Sequence, residues 1–322
     1  MAAPTNTYST AVAKGNREDL EDTIYRVAVD EIPFTKAIGS VDAKAVRHDW
    51  QTETLAAPNA LNATLEGDDV GTFEAGNNTV RVSNTCQIFR KTYVISGTQE
   101  AVTAAGRKSD LARQKLLKGK EILTDMEARF LGNYAEKLDE AGATPRTMSG
   151  ALAWLTSNTS RGTGGVDGGF SGGVTTAATN GAQRPFIESL LKAVLAKAAD
   201  NGAKVNGMKM FVGSFNKQAA SAFTGIAAQR HEVGSGRADI IAGADIYVSD
   251  FGSVQFVYHP YCSTRDAFLA DTSMWAVATL RPLDSTELSK TGDNMKGAMI
   301  AEKTLVCRNE KSSAVIRDLN AS

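Results

Sequence analysis

The chain has 322 residues, 42% of them hydrophobic, and a formal net charge of -1. That supplies apolar side chain for one large or two modest cores, and the balanced charge excludes a global basic field for nucleic acid. Three widely spaced cysteines, Cys86, Cys262 and Cys307, with no CxxC pair, argue against a disulfide framework or a structural zinc site and for a reducing compartment.

Residues 1–22 are polar, with no uninterrupted apolar run of the secretory kind, and no stretch of the chain has bilayer length. A soluble, cytoplasmic protein is therefore expected. "REDLEDTIYRVA" places Leu20, Ile24 and Val27 at i, i+4 and i+7 of a short helix, which Pro33 should end. From residue 40 the period changes. "AVRHDWQTETLA" alternates, with Val46, His48, Trp50 and Thr52 on one side, and "TVRVSNTCQIFRKTYVISGT" is β-rich. The tract between them, "PNALNATLEGDDVGTFEAGNN", is full of turn formers. Two strands joined by so long a polar tip make a hairpin arm that cannot bury itself, so it must lie on a partner or stay unsupported.

Residues 100–141 predict one helix of about 60 Å at 1.5 Å per residue. Leu116, Leu123, Met126, Phe130, Tyr134 and Leu138 would form its apolar stripe, with Asp125 and Arg129 paired on the wet side. Gly106, Gly119 and Gly132 are places where it would kink or divide. "RGTGGVDGGFSGG" holds seven glycines and predicts a flexible or tightly turning connection. "RPFIESLLKAVLAKAADNG" predicts a helix with Pro185 in its first turn and Gly202 at its end. "MKMFVGS", "DIYVSD", "VQFVYHP" and "MWAVATL" predict strands, with a helical "SFNKQAASAF" after the first. The tail reads as two strands around a turn at Asn309–Lys311. Helices and strands interleave without βαβ spacing, which indicates α+β.

Enzyme motifs are few and fail on context. "GFSGG" fits the G-x-S-x-G nucleophile pattern at Ser171, but it lies in a glycine run with no strand before it. "DFG" at Asp250–Gly252 lacks every other kinase element and reads as a hairpin turn. "HEVGS" from His231 has Ser235 where a second zinc histidine belongs. His48, His231 and His259 are scattered and read as surface or strand histidines. Gly119-Lys120 is followed by Glu121, so the P-loop pattern is absent. No catalytic, cofactor or metal residue is expected. Two charge clusters remain. Glu66, Asp68, Asp69 and Glu74 make the arm's tip acidic, while Arg107, Lys108, Arg113, Lys115, Lys118 and Lys120 face a single acid, Asp110. The basic cluster is either a solvated helix face or a site of non-specific, salt-sensitive phosphate contact.

The leader from Tyr8 to Ala56, with Pro33-Phe34 and a strand centred on Trp50, resembles the N-terminal part of major capsid proteins of short-tailed and related tailed phages. The likeness continues in order through "RVSNTCQIFRKTYVISGTQEAV", the long helix, "MSGALAWLTSN", the glycine-rich stretch and "KTLVCRNEKSSAVIRDL". This resemblance implies the Hong Kong 97-like capsid fold. Its parts would be an N-terminal arm (1–46), an extended E-loop (47–98), a P domain with spine helix and glycine-rich loop (99–182), an A domain (183–280), and strands returning to the P domain (281–322). It implies self-assembly, through hexameric and pentameric capsomers, into an icosahedral or prolate shell around double-stranded DNA, assembled in the host cytoplasm. Scaffolding, portal and decoration proteins would be partners, and no membrane would be. Trp50, Phe73, Phe89 and Tyr93, with Glu66, Asp68 and Asp69, would meet neighbouring subunits, and the six basic residues from Arg107 to Lys120 would look inward at DNA. Three other readings stand beside it: an encapsulin-like compartment shell, a serine hydrolase using Ser171, and a tail or tube protein that would form rods or rings in place of closed shells.

Overall fold

The computed structural model describes residues 31–71, 73–102, 108–140, 143–223 and 246–320. The proposed helix at residues 17–28 and the His231 motif lie outside them. In chain order, a short helix α1 (Pro33–Ala37) leads into β1 (Gly39–Asp42), β2 (Arg47–Thr52), β3 (Val80–Thr85) and β4 (Gln87–Ser96). Helices α2 (Gly97–Ala101), α3 (Asp110–Leu131) and α4 (Ala151–Trp154) follow, then β5 (Thr159–Ser160), β6 (Gly169–Ser171) and β7 (Val174–Thr176). The last part holds α5 (Glu188–Asp200), β8 (Met208–Val212), α6 (Ser214–Ser221), β9 (Ile246–Ser249), β10 (Gly252–Tyr258), β11 (Ala267–Ala270), β12 (Trp275–Leu288), β13 (Asn294–Cys307) and β14 (Ala314–Ile316).

Two sheets carry the fold. One has the order β1-β12-β13-β4, the other β5-β14-β11-β8-β10-β9. The first is built on the long β12–β13 hairpin, whose register shifts on either side of Arg281, beside Pro282. A proline inside a strand is tolerated at such a break because it has no N–H to offer the ladder. In the second sheet successive side chains serve different cores. Met210, Val212 and Leu269 pack with Leu191, Val194 and Leu195 of α5, whereas Phe211 and Phe268 point the other way. There they meet Ile122, Met126 and Phe130 of α3 and Trp275 of β12. One apolar core therefore joins both sheets and α3.

At the centre of that core is Phe34, fully buried, with its ring centroid 5.3 Å from Phe211, 5.9 Å from Phe268 and 6.4 Å from Trp275. Pro33 starts a helix. It occupies the first turn of α1, where its missing N–H costs nothing. No side chain of the segment caps α1; Glu127 of α3 does so from 93 residues away. Its carboxylate accepts from Phe34 N at 2.7 Å, from Thr35 N at 3.0 Å and from the Thr35 hydroxyl. His259 Nε2 completes the set at 2.8 Å. Because His259 Nδ1 accepts from Tyr261 N at 3.1 Å, the proton is on Nε2 and the ring donates to Glu127. His259 is thus a fully buried joint and not the surface or strand histidine expected.

The spine helix is shorter than the sequence suggested. Ser109 caps α3 by accepting from Ala112 N, and the helix stops at Gly132 after 22 residues, about 33 Å. A Cβ at Gly132 would come within 2.0 Å of the Tyr134 ring, so a larger residue there would have to displace that side chain. Tyr134 and Leu138 lie beyond the helix and are exposed, as is Leu116. The true buried stripe is Ile122, Met126, Glu127, Phe130 and Leu131. Asp125 pairs with Lys91 of β4 at 2.8 Å, not with Arg129. Arg129 instead donates to the carbonyl of Met148 and lies over the Tyr134 ring. Pro185 stands two residues before the N-cap of α5, outside its first turn, whereas Gly202 follows its C-cap at φ +81° as expected.

The glycine-rich stretch turns tightly. Gly172 and Gly173, at φ +61° and +87°, turn β6 back onto β7. The Asp318 carboxylate accepts from Gly162 N at 3.0 Å and Gly181 N at 2.6 Å, pinning both ends of the loop to the C-terminal segment.

Replacing Glu127 with Ala should strand three buried donors, Phe34 N, Thr35 N and His259 Nε2. Each such group costs about 1–3 kcal/mol, so a loss of at least about 3 kcal/mol is expected in urea unfolding. Thr35→Val, which removes only the hydroxyl contribution, should cost about 1 kcal/mol.

Candidate assembly interface

The arm is rigid at its base and unsupported beyond it. Strands β2 and β3 pair antiparallel from Arg47↔Thr85 to Thr52↔Val80. Trp50 donates from Nε1 to the Cys307 carbonyl at 2.9 Å and packs against Trp154, whose ring stacks on Phe170 of β6. Arg47 donates to Ser83 and to the Gly173 carbonyl, which ties the arm to the glycine hairpin as well. Beyond Thr52 no regular structure forms until Val80 among the described residues. Residues 53–79 carry five acids and no Lys or Arg. Leu55, Leu61, Leu65, Val70 and Phe73 are 70–89% exposed.

A turn closes near the middle of this segment, where Asp68 N donates to Leu65 O at 3.1 Å with Gly67 at φ +82°. Only glycine enters that backbone region without strain. The turn gathers Glu66, Asp68 and Asp69 at the apex, all exposed. Of the four aromatic residues singled out from the sequence, Phe89 and Tyr93 are buried in the chain's own core between β4 and α3. Trp50 is half-buried at the arm's base. Phe73 alone offers its whole ring outward.

The basic cluster is less one-sided in space than in sequence. Lys115 pairs with Glu287 of β12 at 3.2 Å and lies over the Tyr93 ring. Lys118 pairs with Glu121 at 2.9 Å. Glu287 is hidden from a local reading by its distance along the chain, whereas Glu121 stands one residue past the basic cluster. Lys108 is exposed, Arg113 and Lys120 are half-buried, and Arg107 lies outside the described residues.

The enzyme motifs place no chemistry. Ser171 is exposed at the end of β6 in a hairpin, without a following helix. Asp250–Gly252 makes the β9–β10 turn, as the sequence suggested. His48 sits on β2, its imidazole held below the usual value by partial burial. Among the described residues no cluster of His, Cys, Asp or Glu could hold a metal, and no helix is long and apolar enough to cross a membrane. The three cysteines are free and buried.

A family model described as SU10 major capsid protein matches residues 3–320. The major capsid protein of Escherichia phage Phieco32 is 25% identical over 334 residues, covering 94% of each chain. Among solved structures, the cyanophage A-1(L) capsid subunit matches with a TM-score of 0.66 at 12% identity, covering 98% of this chain and 99% of the other. A capsid chain of Mycobacterium phage Adephagia matches at 0.63 and 11% identity over 98% and 99%. The set from phage G, titled as gp27 major capsid proteins with gp26 decoration proteins, matches at 0.55 and 12% identity over the full length of both chains. The fold is Hong Kong 97-like.

Burial pushes the Cys86 thiol up to about 11, and those of Cys262 and Cys307 also well above their usual value. At pH 8 a pKa of about 11 leaves about one thiolate in a thousand. Native protein should therefore leave a chromogenic disulfide reagent almost unreacted over minutes, and urea-unfolded protein should release three equivalents.

Proposed function

As a member of the SU10 major capsid protein family, the chain is a structural subunit of a phage shell, and we propose that residues 53–79 are the E-loop that links each subunit to its neighbour. The observation that carries this reading is a fixed base bearing a limb of exposed leucine, valine and phenylalanine. Such side chains gain stability only when a second surface covers them. The encapsulin-like and hydrolase alternatives find no support in the comparisons.

Repeated head-to-tail contacts of this kind close into rings, and rings into a shell; the capsomers would be hexameric and pentameric. We place the remaining parts as the resemblance implies, with the N-terminal arm at 1–46, the A domain at 183–280 and the returning strands at 281–322. One limit we draw differently: because β4 is a strand of the four-stranded sheet, we end the E-loop, counted as residues 53–79 with their β2–β3 base, at residue 85 and start the P domain at β4. The basic residues from Arg107 to Lys120 would face packaged double-stranded DNA, with Lys115 and Lys118 partly neutralised by their carboxylate partners. Scaffolding, portal and decoration proteins would be further partners, with assembly in the host cytoplasm.

Deleting residues 58–78 should leave a folded subunit with an unchanged unfolding midpoint that no longer forms shells by sedimentation and electron microscopy. Normal shells from the deletion would remove the E-loop reading. Lys108→Ala with Arg113→Ala should spare empty shells, while filled particles should lose DNA at lower salt than the parent. Equal retention across a salt series would count against an inward basic face.

A further inference from the structure

At one end of the six-stranded sheet two buried arginines stand side by side. Strands β14 and β5 pair parallel, Val315 with Thr159 and Ile316 with Ser160, and Arg317 N donates on to the Ser160 carbonyl at 2.8 Å. One residue further along both strands brings Arg317 beside Arg161. On its other flank β14 pairs antiparallel with β11, Ile316 with Ala267, so the next position sets Asp266 beside Arg317. Matching positions of adjacent strands share a face, and the row across it reads Arg161, Arg317, Asp266. The Arg317 side chain is 1% exposed, that of Asp266 4% and that of Arg161 10%.

The row is short of acceptors. Arg317 gives Nη2 to the Leu152 carbonyl, and its Nε and Nη1 have no partner among the described residues. Asp266 Oδ1 is 4.0 Å from Nη1, beyond a hydrogen bond. Arg161 gives Nε to Asp167 and Nη1 to the Thr179 carbonyl at 3.1 Å, which leaves Nη2 unmatched. The charge is poorly matched as well. Arg161 and Arg317 repel each other, and burial adds to the cost. A guanidinium cannot relieve that by losing its proton. Asp167 and Asp266 offset the two arginines in number, but burial holds the Asp266 carboxyl above its usual range. Arg265 and Asp318 answer each other at 3.4 Å. Two more cations then tip the balance: Arg184 donates to the Ser160 hydroxyl and the Arg317 carbonyl, and Lys197 to the Thr159 carbonyl.

We propose that this row is a buried anion site, in which Arg161 Nη2 with Arg317 Nε and Nη1 holds one halide ion, chloride or bromide. A halide supplies both things the row lacks: an acceptor for several donors at once, and a negative charge between like charges. A water molecule supplies the first only in part. It brings two hydrogens that need acceptors of their own, and Asp266 Oδ1 alone is unmatched in the row. A row so enclosed admits a bare ion and not a charged side chain of another molecule. The ion would link β14 with the glycine-rich loop and with α4, whose Trp154 carries Trp50 at the arm's base.

Halide exchange on the full-length protein tests this. At constant ionic strength, replacing methanesulfonate by chloride or bromide should raise the melting temperature by at least about 2 °C, saturating with halide concentration. Arg161→Gln should abolish the difference. Asp266→Asn keeps the size of that side chain and removes a negative charge beside the site, so half the effect should be reached at about threefold less halide. Crystals grown in bromide should show an anomalous peak between Arg161 Nη2 and Arg317 Nη1. No peak and no halide dependence would mean a water-bridged row and overturn the proposal. An equal halide effect in Arg161→Gln would reveal a general salt effect and overturn it too. Should Arg161→Gln fail to fold, Asp266→Asn still decides: an unchanged or higher halide requirement there would remove the site.

Discussion

A single buried carboxylate holds the molecule's parts in relation to one another. Glu127 is carried by α3, caps the isolated turn of α1, and accepts a hydrogen bond from His259 Nε2 in the loop after β10. A bare carboxylate in that position would be expensive, because burial strips its hydration. Four donors replace the lost water, and all four come from parts of the chain more than ninety residues away. The reward is geometric. Phe34 can enter the aromatic cluster between the sheets only if α1 is held end-on against α3, and Glu127 does that.

The same principle recurs at the C-terminal segment. Asp318, at φ +60°, holds both ends of the glycine-rich loop, and a Cβ at Gly162 would come within 2.0 Å of the Ala182 carbonyl. Gly162, Gly168 and Gly181 are there for close approach of backbones, whereas Gly172 and Gly173 supply the left-handed turn. Nearby, Arg317 is buried and donates to the Leu152 carbonyl, its guanidinium pushed below the usual value by desolvation. Polar groups placed far apart in the chain thus fix the relation of the layers, while apolar packing supplies the bulk of the stability.

How much of this was legible in the sequence follows from which signals are local. Alternation gave β2, β3, β4, β8 and β10 because side-chain period survives any tertiary context. The arm was legible for the same reason turned around: a long run of turn formers with no period has nothing local to pack against. The end of α3 was misread because Tyr134 and Leu138 continue its apolar spacing, and only the close turn at Gly132 breaks it. Glu127 gave no signal at all. A glutamate in a charged helix looks solvated, and its partners at residues 34, 35 and 259 are remote. The pairing of Lys115 with Glu287 was hidden likewise, so a cluster that looked uniformly cationic is partly neutralised. The short β11, "AFLA", has no alternation because both its faces are buried.

The exposed limb of the arm also sets how assembly should respond to temperature. If its leucines, valine and phenylalanine leave water only when subunits meet, a good part of the association free energy is hydrophobic. Near room temperature that driving force is entropic and carries a large negative heat-capacity change. Contacts of this kind weaken on cooling. A young shell held mainly by such limbs would be loosest in the cold, and the more its stability came to depend on charge-paired contacts instead, the less it would feel the chill.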